Sequence, residues 1–133
     1  MKNVSDDKFC FVCGIKNKNG LQLSFSFNEE TNQVISKVTF DKEYQGWSGV
    51  VHGGLVATVL DEIMVKTAEF KDLKCVTVEI SVKYKKPALV GVKYNLNSEI
   101  LSINKKLVYV RSEMISGMGE IIASAEGKLF IVK

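Results

Sequence analysis

Between Val50 and Asp61 the chain reads VVHGGLVATVLD, and this stretch holds the residue types best suited to chemistry. Two adjacent glycines, Gly53 and Gly54, open an apolar run. Glycine reaches backbone angles that other residues avoid and lets a ligand come close to the main chain. A helix starting there leaves its first N–H groups without an intrahelical acceptor. Aligned with the helix dipole, such donors suit an anion or a developing oxyanion. His52, the only histidine, directly precedes the glycines. Asp61 lies about two helical turns further on, inside an otherwise apolar segment. A carboxylate so placed is a functional acid, a solvent-facing helix residue or a buried acid paired with a lysine.

The whole chain bounds what such a site can serve. Its 133 residues are the size of one domain, read here as a single unit over 1–133 with a loop segment at 1–20. A hydrophobic share of 46% and a charged share of 25% are those of a globular protein with one core. The net charge of +3 allows an anionic ligand without arguing for DNA or a membrane surface. Of the basic residues only Arg111 is an arginine, which disfavours bidentate recognition of phosphates or bases. No nucleic-acid or membrane partner is expected. The polar start MKNVSDDKFC carries no apolar stretch of signal-peptide length, and no run approaches the ~20 apolar residues of a membrane span. Three cysteines, an odd number, fit a reducing compartment, and the expected location is cytoplasmic.

Periodicity supplies the elements that position the site. Phe9 to Gly20 is rich in turn residues. Leu21, Leu23, Phe25 and Phe27 then alternate with polar residues as a half-buried strand, and Val34 to Phe40 suggests the second strand of a hairpin. Asp41 to Gly49 is a loop. From His52 to about Phe70, Leu55, Val59 and Ile63 form one apolar stripe, and Val56, Leu60, Met64 and Ala68 another. Two adjacent stripes make a helix buried on most of its surface, with Glu62, Lys66 and Glu69 marking the wetter side. Val76, Val78, Ile80, Val82 and Tyr84 then alternate with Thr77, Glu79, Ser81 and Lys83. Pro87 and Gly91 frame a connection, and further strands follow around Tyr94 to Ile100, Leu107 to Ile115 and Glu120 to Val132. Short turns between them imply antiparallel pairing. The expected class is α+β, an antiparallel sheet of about five to six strands wrapped around one long helix.

That order, with HGG at the helix start, resembles the hot-dog fold. More narrowly it resembles the PaaI-like branch of the hot-dog acyl-CoA thioesterases, in the 4-hydroxybenzoyl-CoA thioesterase superfamily. The resemblance runs through GLQLSF, YQGWSGVVHGGLVATVLDE, TVEISVKYKKPALVG and ASAEGKLF. It implies a sheet wrapped around the helix, protomers paired edge to edge with active sites between them, and dimers associating into tetramers. The implied reaction is hydrolysis of an acyl-CoA thioester, with coenzyme A entering as part of the substrate and no separate cofactor or metal.

Thioester hydrolysis needs an attacking group, a place for charge on the carbonyl oxygen and a grip on coenzyme A. Asp61 is expected to act as general base or nucleophile, and the Gly53 N–H, at the Gly53–Gly54 turn, as oxyanion donor. Eight residues along one helix set these groups roughly 12 Å apart. One thioester carbonyl cannot touch both, so the site needs Gly53 from one chain and Asp61 from another, with two equivalent sites per twofold dimer. By resemblance, His52 braces the helix start and Glu62 is structural. Thr77 falls where the family often has Ser or Thr facing the acid across the dimer interface, although an ordinary β-forming residue fits equally. By the same resemblance Gln45 holds the lytic water or contacts the thioester, although it stands one position further from the histidine than the commonest pattern. Lys83, Lys85 and Lys86 are the expected coenzyme A contacts, or a lysine-protected strand edge. Trp47, Tyr44 and Met64 line the acyl pocket or belong to the core. Cys10 and Cys13 form a lone CxxC, short of the four ligands of structural zinc, and are expected to pack the N-terminal segment in reduced form. Two rival functions stand beside hydrolysis: a non-catalytic acyl-CoA binder or sensor, and a hot-dog dehydratase relying on a catalytic histidine.

Overall fold

The computed structural model describes residues 4–132. The double apolar stripe becomes helix α1 (Gly53–Glu69), whose residues Val56, Val59, Leu60, Ile63, Met64, Thr67 and Ala68 are buried. Among the described residues six strands surround it: β1 (Ser26–Asn28), β2 (Gln33–Thr39), β3 (Cys75–Tyr84), β4 (Lys93–Asn104), β5 (Leu107–Ile115) and β6 (Ile121–Ile131). They form one antiparallel sheet in the order β1-β2-β4-β5-β6-β3. This is the sheet-around-helix arrangement of a hot-dog fold. Residues 1–3 and 133 of the expected unit lie outside the described residues.

The sheet grips the helix by apolar packing and by one polar tie. Val38, Leu96, Val110, Met114 and Leu129 turn inward from the strands and are buried with the helix residues. In β6, a Cβ at Gly127 would stand 2.8 Å from Met64 Cε, so the missing side chain lets helix and sheet approach closely. In β5, the buried Ser112 Oγ donates to the Leu60 carbonyl at 3.0 Å, fixing the middle of α1 along and around its axis.

Two departures from simple alternation matter. The strand expected from Leu21 pairs with β2 only over Ser26–Asn28. Before that, Leu21 and Leu23 donate their N–H groups to Phe11 and Val12 carbonyls, each at 2.8 Å. The segment therefore pairs with the N-terminal loop and not with the sheet, while Leu21, Leu23 and Phe25 still pack on the core. The second departure is a bulge in β3, where Thr77 pairs with Leu129 but Glu79 already pairs with Lys128. The extra residue, Val78, is 50% exposed. Strict alternation sets Thr77 with Glu79, Ser81 and Lys83. The bulge moves it to the helix-facing side with Ile80, Val82 and Tyr84.

Ile63 has no exposed surface. Ile63→Ala is expected to lower unfolding free energy by about 2–5 kcal/mol, read from urea melts. A loss below about 1 kcal/mol would mean that the helix–sheet contact is loosely packed.

Candidate active site

The HGG turn forms where the loop after β2 meets α1. The loop is pinned at several points: Gln45 Oε1 accepts from the Gly49 N–H at 3.0 Å, the Gly46 N–H donates to the Val50 carbonyl at 2.8 Å, and the His52 N–H donates to the Tyr44 carbonyl at 2.9 Å. His52 then caps the helix with extended backbone angles, φ −58° and ψ 129°.

That cap apportions the unpaired N–H groups of the first turn. His52 Nδ1 accepts from the Gly54 N–H at 3.0 Å. Its carbonyl accepts from Leu55 at 2.9 Å and Val56 at 3.3 Å. Only the Gly53 N–H finds no acceptor among the described residues. With Nδ1 engaged as acceptor, the neutral ring carries its proton on Nε2. Gly54, expected at the site beside Gly53, is thus part of the cap and presents no second free donor. Gln45, expected to hold water, uses its amide oxygen to brace the loop.

Gly53 opens into a cleft of about 520 Å³, whose lining includes Trp47, Val50, His52, Tyr84, Lys86 and Ile122. Tyr84 Oη donates to the Gly53 carbonyl at 2.7 Å, so the end of β3 closes over the helix start. Alternation placed Tyr84 in its strand and gave no sign of this contact; nor did anything mark Ile122, which arrives from β6. Of the three lysines expected as one cluster, only Lys86 borders the cleft, and it also pairs with Glu120. Lys83 sits opposite Ser124 on the outer face of β3, and Lys85 is exposed outside the lining. Trp47 is an exposed wall of the cleft, Met64 is fully buried core, and Tyr44 packs edge-on against Phe40 with ring centroids 6.1 Å apart.

Asp61 lies two turns along α1, half-buried and outside that cleft. Thr77 Oγ1 donates to Asp61 Oδ1 at 2.6 Å. The contact forms within one chain, where a contact across a dimer interface was expected, because the β3 bulge turns Thr77 inward. It leaves Oδ2 without a described partner. Glu62, one residue on, faces away toward the N-terminal loop and accepts from Cys10 Sγ at 3.5 Å.

His52→Ala removes the side-chain cap and is expected to lower stability by about 1 kcal/mol, while His52→Asn, itself a good capping residue, recovers most of it. Thermal melts of the three proteins check this; equal melting points would deny the imidazole its capping role.

Residues 48–123 match the family described as the Thioesterase superfamily. The rat acyl-coenzyme A thioesterase THEM4 is 24% identical over 112 residues, covering 84% of this chain and 48% of the relative. The chain thus spans about half the length of that relative. Among solved structures, a thioesterase superfamily protein superposes with a TM-score of 0.85 at 23% identity, over 93% of this chain and 60% of its own. A thioesterase protein of Streptococcus pneumoniae, solved with coenzyme A, superposes with a TM-score of 0.76 at 16% identity, over 83% of this chain and 85% of its own.

Proposed function

The chain belongs to the thioesterase superfamily, and from that membership we propose that it hydrolyses acyl-CoA thioesters to free acid and coenzyme A. The observation that carries the reading is the unpartnered Gly53 N–H at a capped helix start, opening into a largely apolar cleft. A donor there meets the charge that develops on a thioester oxygen during attack, aided by the helix dipole. The similarity to a coenzyme A-bound relative supports coenzyme A as the thiol carrier, and Lys86 is the cation best placed to meet its phosphates.

Asp61 acts as general base on water or attacks directly. Thr77 is a positioning residue that fixes one carboxylate oxygen and leaves the other for the reacting atom. Because Asp61 and Gly53 share one unbroken helix, roughly 12 Å apart, the acid for each Gly53 comes from a second copy. The unpaired outer side of β3 supports a partner on that edge: β3 ends the sheet, and its Val78 and Tyr84 are half exposed. A twofold pairing there gives two equivalent sites, and further association of dimers gives a tetramer.

Thiol release from a panel of acyl-CoAs tests the reaction. Asp61→Asn, folded and dimeric, is expected to lose roughly 10²–10⁴-fold in kcat. Acyl-CoA binding without thiol release by wild type would make the protein a binder instead. The oxyanion donor has its own test. Position 53 is the first helical residue, where proline is tolerated, and the ψ of 129° at His52 is what a residue before proline adopts. Gly53→Pro therefore removes the N–H while sparing the helix, and is expected to lower kcat by about 10²–10³-fold. Co-refolding Gly53→Pro with Asp61→Asn in equal amounts is expected to restore ~25% of wild-type activity, the share of intact sites in randomly paired twofold dimers. No recovery, with mixed dimers demonstrated, would reject the shared site.

A further inference from the structure

Away from the cleft, the N-terminal segment meets α1 at a cluster the hydrolytic reading does not use. One ligand atom each from Cys10, Cys13 and Glu62 lie within 4.8 Å of one another, all half-buried. The Cys10 thiol already points at Glu62 Oε2, 3.5 Å away. Both thiols are unpaired.

The turn that presents them is tightly built. The Gly14 N–H closes it onto the Cys10 carbonyl at 2.9 Å, and the Val12 N–H donates to Cys10 Sγ at 3.3 Å. A Cβ at Gly14 would stand 2.4 Å from the Cys10 nitrogen and 2.6 Å from its oxygen, backbone atoms with no room to yield. The turn therefore holds Cys10 Sγ in a fixed direction, toward α1. A hollow of about 450 Å³ opens onto all three residues, bordered also by Lys66 and Cys75.

The geometry points to a binding site for a borderline-soft divalent cation, zinc in class, held by Cys10 Sγ, Cys13 Sγ and a Glu62 carboxylate oxygen with one position left to solvent. Thiolates ~2.3 Å from zinc stand roughly 3.8 Å apart in a tetrahedron, and a carboxylate oxygen sits slightly closer, so the cluster needs only a small contraction. Two thiolates and a carboxylate carry three negative charges. The cation supplies two positive charges, and Lys66, which borders the hollow beside its ion-pair partner Glu69 at 3.3 Å, offsets only part of the third. Binding breaks two S–H bonds and forms two metal–sulfur bonds, with both protons released to solvent and no change of oxidation state.

A bound cation would clamp the N-terminal turn to α1 one residue from Asp61.

Titration of the full chain with Co²⁺ in reducing buffer tests the site, with Zn²⁺ as competitor and far-UV circular dichroism confirming folded protein. One equivalent of Co²⁺ is expected to give thiolate-to-metal charge-transfer absorbance, to release two protons per metal in weak buffer, and to be displaced by Zn²⁺. Cys10→Ser and Cys13→Ser each abolish the band at one equivalent. Glu62→Gln keeps the band but weakens binding by roughly tenfold or more, and Cys75→Ser binds as wild type. Absence of the band in folded wild type overturns the proposal, as does its persistence in Cys13→Ser or its loss in Cys75→Ser. A Cys10–Cys13 disulfide forming in the presence of Zn²⁺, read as the loss of two titratable thiols, overturns it as well.

Discussion

One unbroken helix, stripped of water by the sheet around it, sets the terms for the rest of this molecule. Val59, Leu60, Ile63 and Met64 have no exposed surface, and Ser112 fixes the helix by its Leu60 carbonyl. An α-helix so held neither shortens nor folds back, and its rise separates groups on it as a ruler would. The free N–H belongs to its first residue and the candidate acid to its ninth. Bringing the two to one carbonyl requires a second copy of the same ruler. Self-association, on this reading, completes a site that neither chain contains alone.

The helix start shows how few polar atoms such a site needs. Four N–H groups lack intrahelical partners at any N-terminus. Here His52 accepts from two of them, Gly54 through its ring and Leu55 through its carbonyl, and its own N–H donates to the Tyr44 carbonyl. What remains is a single donor in a fixed direction. The histidine thus shapes the site by subtraction, and its engaged Nδ1 makes it a poor stand-in for the catalytic histidine a dehydratase would require.

The elements were legible in the sequence wherever burial alone decides them. The double stripe of α1 and the alternation of β5 and β6 follow from which side meets the core. What local pattern left hidden depends on partners distant in the chain. Leu21 and Leu23 alternate as a strand does, yet their N–H groups go to Phe11 and Val12. Thr77 shares its alternation with outward-facing Glu79, and only its pairing with Leu129 turns it toward Asp61. The free Gly53 donor was legible because an HGG turn ahead of an apolar stripe fixes it locally. The closure of Tyr84 over that turn was not, since it joins residues 31 positions apart.

The bulge at Val78 divides β3 into two phases. Upstream, Cys75 and Thr77 face the helix; downstream, Ile80, Val82 and Tyr84 do. Odd-numbered residues serve one half and even-numbered residues the other. A strand of ordinary pleat cannot hold both Thr77 against Asp61 and Tyr84 against Gly53, because seven residues apart they fall on opposite faces. One supernumerary residue reconciles the two contacts. Removing it would oblige the strand to give up one or the other, so the length of β3 is as much a part of the site as any side chain in it.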